Sequence, residues 1–128
     1  MNDAEFLAAL EDCTLPADAF RHRDHLRAAW IYLQRMPFGA ALDWMRATLQ
    51  RYAASLGRPD RYHETITVAY MSLVQAHRAL HPADCWDDFV AHNPELFAAG
   101  LLASYYDRAT LDSPLARRVF LLEPRSTP

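Results

Sequence analysis

Two short segments of the sequence place ionisable side chains where the surrounding pattern is apolar. The first, FRHRDHL, contains His22 and His25, and the second, YHETIT, contains His63 and Glu64. Imidazoles and carboxylates bind transition metals and move protons at physiological pH. These four residues are therefore the candidate functional residues of the chain.

Each segment lies at the beginning of a predicted helix. His22 and His25 are three residues apart, so in a helix they share one face with Leu26, and both imidazoles are expected to point toward the core. In the second segment His63 heads an apolar face, and Glu64 is turned away from that face by about 100°. Because adjacent helical residues seldom bind the same ion, only one of His63 and Glu64 is expected to join the two histidines.

The first functional hypothesis is a divalent metal bound by His22, His25 and His63, with Glu64 orienting a ligand or relaying a proton. If Glu64 replaces His63 as a ligand, two imidazoles and a carboxylate suit non-haem iron. Three imidazoles suit zinc or copper equally well. The residues do not choose among these metals.

The second hypothesis needs no metal. His63 and Glu64 then act as catalytic base and acid in an inter-helical pocket that binds a small molecule. The residues expected to line this pocket are Thr67, Tyr70 and Trp30. Aromatic residues at helical spacing are more often part of a core, which is the competing interpretation of Trp30.

A structural alternative assigns the same cluster no chemistry. In it Asp24 caps a helix, Glu64 pairs with Arg27 or Arg61, and His63 bonds a backbone carbonyl. The cluster then fixes helix register in a non-catalytic interaction or regulatory module. Substituting its residues would in that case lower stability and abolish no binding.

The elements that position these residues are all predicted to be helices. Apolar residues recur at spacings of three and four, and no strand-like alternation stands out. We expect one compact domain over residues 1–128, an all-α bundle of about five to seven helices. Its longer helices are predicted near residues 3–12, 24–36, 38–56 and 61–80, the last of them buried at the centre of the bundle.

The C-terminal third is predicted to contain shorter helices. One includes Trp86, a second runs from Pro94 to Tyr106, and Ser113 with Pro114 begins the last. Residues 124–128 are expected to form a frayed tail.

Composition narrows the classes of function. All 13 cationic side chains are arginine, the formal net charge is −3, and no basic stripe could follow a nucleic-acid backbone. Cys13 and Cys85 fit no metal-binding or redox spacing and are expected to be free thiols. No signal peptide or membrane span is evident, so we expect a cytoplasmic protein without nucleic-acid or membrane partners, with a homodimer as the default assembly.

The pattern F-x-H-x-x-H-L-x-x-A-W over residues 20–30 and the segment YHETIT resemble a group of small uncharacterised bacterial helical proteins. Tyr105, Tyr106, Ala116 and Arg117 extend this resemblance over most of the chain. The resemblance implies the helical fold and the importance of the same polar residues, and it implies no mechanism.

Overall fold

A computed structural model describes residues 1–123, and all regular structure in that range is helical. This confirms the prediction of an all-α bundle of five to seven helices. The α-helices of the described range are α1 (Asp3–Glu11), α2 (His22–Arg35), α3 (Phe38–Ser55), α4 (Glu64–Leu80), α5 (Trp86–His92), α6 (Arg108–Leu111) and α7 (Pro114–Arg118).

Helix α2 runs through the middle of the core. It contacts α1, α3 and α4, and every residue from Ala28 to Leu33 is buried. Trp30 packs against Trp86 and Phe89, with ring centroids 5.8 and 5.9 Å apart. Burying an apolar side chain of this kind contributes roughly 1.5–3 kcal/mol, so α2 and its neighbours supply much of the folding energy.

Helix α4 also lies centrally, in contact with α2, α3 and α7. Met71 and Val74 are fully buried, whereas Ile66 and Tyr70 are only half-buried. Ile66 and Tyr70 keep partial exposure because they border open chambers. The helix predicted as the bundle's centre is therefore less completely buried than α2.

Two helix starts differ from the prediction because local hydrogen bonds favour other caps. Helix α2 begins two residues before Asp24, whose carboxylate instead accepts the backbone N–H of Arg21 at 2.9 Å. Asp60 lies in a separate 3₁₀ turn, Pro59–Arg61, and the N-cap of α4 is His63. Ionisable groups therefore lie in the first turns of α2 and α4, as predicted, but the capping residues are not the predicted Asp24 and Asp60.

The C-terminal part is more broken than predicted. The single helix expected there is two 3₁₀ segments, Pro94–Phe97 and Leu101–Ser104. Gly100 separates them with a φ of +75°, a left-handed conformation that ends helical geometry and favours glycine. Ser113 caps α7 as predicted.

The last described residues run extended across the start of α4. The Thr65 hydroxyl donates to the Val119 carbonyl at 2.8 Å and accepts the Leu121 N–H at 3.1 Å. The Tyr106 hydroxyl donates to the Leu121 carbonyl at 2.7 Å. The tail predicted to fray, 124–128, lies outside the described residues.

Both cysteines are free, as predicted, with Cys13 half-buried and Cys85 exposed. Within residues 1–123, no helix combines the length and hydropathy that crossing a membrane requires.

Candidate functional site

A chamber of about 330 Å³ opens between α2, α3 and α4. We call it the histidine chamber. The first turns of α2 and α4 both border it, so the two segments singled out in the sequence are neighbours in space. Its walls include His22, His25, Met45, Leu49, Thr67 and Tyr70.

A second chamber of about 270 Å³ adjoins the first, and we call it the arginine chamber. Its mouth carries Arg58 and Arg61 from the 3₁₀ turn region before α4, and its walls include Phe20, Tyr62 and His63. The two chambers share the side chains of His25, Leu49, Ile66 and Thr67.

His25 lies where the chambers meet. Its ring stacks on Phe20 with centroids 3.9 Å apart and planes inclined by 22°. Burial, and then the charge of His22, lower the pKa of His25 to about 4, against a small opposing effect of Asp24. The imidazole is therefore neutral at pH 7, and no side-chain hydrogen bond from the described residues acts on it.

His22 is exposed rather than directed into the core as predicted, because it is the first residue of α2. Its ring meets Tyr70 edge to face, with centroids 4.9 Å apart. Partial burial lowers its pKa below the usual value. His22 therefore forms the rim of the histidine chamber and His25 its interior.

His63 has a structural role that the metal and catalytic hypotheses did not foresee. Its Nδ1 accepts the Ile66 N–H at 3.1 Å, which caps α4, and its Nε2 donates to the Leu111 carbonyl at 2.7 Å. A backbone N–H can only donate, so Nδ1 is unprotonated and Nε2 carries the proton. Both ring nitrogens are thus engaged by backbone groups, which does not favour the predicted roles of His63 as a metal ligand or a catalytic base.

This role predicts the effect of two substitutions. His63→Ala removes a helix cap and a hydrogen bond, and we expect the free energy of unfolding to fall by about 2 kcal/mol. His63→Asn keeps a good N-cap residue and should recover about half of that loss. Urea denaturation at pH 7 measures both, and equal stability of wild type and His63→Ala would contradict the capping role.

Glu64 is held in an ion pair. Arg46 Nη2 lies 2.7 Å from Oε2, Arg46 Nε lies 2.9 Å from Oε1, and the Tyr62 hydroxyl donates to Oε1 at 2.5 Å. These bonds, above all those from Arg46, lower the pKa of Glu64. The carboxylate is ionised and lines neither chamber, which does not favour its predicted role as a catalytic acid.

The described side chains do not bring the predicted metal ligands together around one ion. Among residues 1–123 no three His, Cys, Asp or Glu side chains are placed to hold one ion. His63 is engaged by backbone groups and Glu64 by Arg46, so only His22 and His25 of the predicted donors remain. Sites for iron, zinc and copper use three or more protein ligands as a rule.

The predicted pocket residues separate into two groups. Thr67 and Tyr70 are on the wall of the histidine chamber. Trp30 is not; it is buried against Trp86 and Phe89, and its indole N–H has no partner within the described residues. Trp30 follows His25 by five positions, about 140° around the helix, and therefore faces another side.

The sequence analysis gave no role in the site to several residues that line the chambers or hold Glu64. Phe20 belongs to the first segment, and its ring stacks on the ring of His25. Arg58 and Arg61 come before the second segment in sequence and line the arginine chamber, and no local sequence pattern predicts that they do so. Arg46 pairs with Glu64 across 18 positions, a separation that no helical periodicity encodes.

Comparison of this chain with protein-family models, with curated proteins and with solved structures finds no match.

Proposed function

We propose that the protein binds a small, mainly apolar organic molecule in the histidine chamber and the adjoining arginine chamber. The single observation that carries the proposal is the position of His25, whose half-buried imidazole borders both chambers and makes no side-chain hydrogen bond with the described residues. Its ring nitrogens are accessible from the chambers and are not held by the protein, so they are free to bond a polar atom of a ligand.

The remaining walls support a ligand of limited size. Apart from His22 and His25, most residues around the histidine chamber are apolar, with Thr67 and Tyr70 adding two hydroxyls. Ligand sites commonly pair such apolar walls with a few fixed polar groups. A chamber of 330 Å³ has the volume of about ten water molecules, which suits a ligand of ten to fifteen non-hydrogen atoms.

The contacts favour binding over acid–base catalysis. His63 and Glu64, the predicted base and acid, are both engaged in structural bonds. A base whose pKa is about 4 abstracts protons weakly at pH 7, since efficient general bases have pKa values near the working pH. We therefore propose a binding protein.

The two free cysteines support a reducing compartment such as the cytoplasm as the location of this binding protein.

The test uses 2-naphthamide, a neutral probe of suitable size, in a calorimetric titration at pH 7. We expect saturable binding with Kd on the order of 0.1 mM, from typical ligand efficiencies. Leu49→Trp places a larger side chain on the wall common to both chambers and should weaken binding at least about tenfold. Leu42→Trp is the matched control, because Leu42 is also half-buried on α3 and lines neither chamber.

Circular dichroism confirms that each variant is folded, and Ile66→Trp replaces Leu49→Trp if the latter does not fold, because Ile66 also borders both chambers. Absence of saturable binding to the wild type contradicts the proposal. Equal weakening by the Leu42 variant would place the probe elsewhere and also contradicts it.

A further inference from the structure

The arginine chamber differs in charge from the protein that contains it. The whole chain carries a formal charge of −3, yet Arg58 and Arg61 lie at this chamber. No aspartate or glutamate within residues 1–123 lines either chamber. An acidic protein thus presents a locally cationic opening.

No acidic side chain within residues 1–123 forms an ion pair with Arg58 or Arg61. Neither guanidinium makes an ion pair or a side-chain hydrogen bond with the described residues, whereas Arg27 and Arg46 both pair with acids. Asp60, which is between the two arginines in sequence, is exposed, and its carbonyl accepts a bond from Arg117. Arginine presents a planar fork that binds a carboxylate by two parallel hydrogen bonds.

The lining of the two chambers changes from charged at one end to apolar at the other. The guanidinium groups are at the arginine chamber, His25 is at the junction, and the histidine chamber continues with Leu26, Met45 and Met71. A ligand that spans both chambers would have its charged end at the arginines and its apolar body beyond the imidazole. Neutral His25 imposes no charge on that body.

We propose that the ligand is a small organic acid, with its carboxylate between Arg58 and Arg61 and an apolar body that extends past His25 into the histidine chamber. This inference rests on the proposed binding function and adds the chemical class of the ligand. The occupant is an amphipathic anion, because two arginines and no carboxylate line one chamber and apolar side chains dominate the other.

The test compares 2-naphthoate with its neutral isostere 2-naphthamide by calorimetric titration at low salt and pH 7. We expect the wild type to bind the acid about tenfold more tightly than the amide. The double variant Arg58→Gln/Arg61→Gln should lose this preference, so that its affinities for the acid and the amide differ by less than about twofold. Raising the salt concentration should reduce the preference in the wild type, because exposed charges are screened.

Arg35→Gln/Arg118→Gln is the charge-matched control, because both arginines are exposed and line neither chamber. It should retain the tenfold preference. Two results would overturn the inference and leave the proposed binding function intact. One is equal affinity of the wild type for the acid and the amide. The other is an undiminished preference for the acid in the Arg58/Arg61 variant. Failure of both probes to bind overturns the proposed function itself.

Discussion

Between pH 6.5 and pH 4 the wild-type protein should lose about 3 kcal/mol more of its unfolding free energy than the variant His25→Gln. Burial lowers the pKa of His25 from 6.5 to about 4 in the folded state. The unfolded chain therefore takes up a proton at this residue before the folded protein does. Each pH unit in that window removes about 1.4 kcal/mol of stability, and the full contribution is present above pH 6.5.

The direction of this effect follows from the groups around the ring. Burial favours the neutral form, and a protonated His22 disfavours a second positive charge on His25. Asp24 acts in the opposite sense and more weakly. The other ionisable side chains around the two chambers are Tyr52, Tyr62, His63, Tyr70, Arg58 and Arg61, and none of them is an acid that could stabilise the imidazolium.

Urea denaturation at half-unit pH intervals measures the difference between wild type and His25→Gln. His92→Gln is the control, because His92 is exposed at the end of α5 and should leave the pH dependence of the wild type unchanged. Parallel curves for wild type and His25→Gln would mean that the ring is solvated, and would remove the basis for a neutral imidazole in the chambers.

Glu64→Gln should destabilise the protein by about 2–3 kcal/mol. The carboxylate is only 13% exposed and holds the guanidinium of Arg46, so its loss leaves a partly buried cation with only the exposed Asp43 as a counter-ion. The cost is below that of a fully buried pair because Arg46 is 31% exposed. For a chain of this size the melting temperature should fall by roughly 6–12 °C.

Asp43→Asn is the matched control, since Asp43 contacts the same guanidinium at 3.0 Å but its side chain is 77% exposed. Its loss should be under about 0.5 kcal/mol. Differential scanning calorimetry compares both variants, and 2-naphthamide affinity should be unchanged in each. A Glu64→Gln protein that keeps its stability and loses probe binding would restore Glu64 to the site and refute its structural role.

The helices could be predicted because the residue pattern that defines each helix lies within the helix and at its two ends. In α3 the apolar residues recur along one face, and Gly57, with a φ of +71°, ends the helix where predicted. The starts of α2 and α4 were displaced by a few residues, because side chains other than the predicted caps satisfy the backbone there, and at α4 the cap is the imidazole of His63. Asp24 acts as an acceptor inside the first turn rather than as the cap.

The site was predictable only in part, for a related reason. His22 and His25 share a chamber because a spacing of three residues places them near one another on α2. The partners of His63 and Glu64 are 48 and 18 positions away, at Leu111 and Arg46. Contacts over such distances depend on how the helices pack, and no local pattern encodes them.

The predicted cluster of four polar residues therefore divides into two pairs. His63 bonds a backbone carbonyl, as the structural alternative proposed, and Glu64 pairs with an arginine, although with Arg46 rather than Arg27 or Arg61. His22 and His25 remain beside the chamber without such bonds, as a ligand site requires. The central claim is that this chamber, at His25, is where a small molecule binds.

A crystal structure of the full chain with 6-bromo-2-naphthamide tests that claim most directly, because the bromine atom is located by its anomalous scattering. The account predicts one bromine site between α2, α3 and α4, with the naphthyl group against Leu49 and the amide within hydrogen-bonding distance of His25. A bromine site on the outer surface alone, or chambers filled by side chains in the presence of the probe, would contradict it.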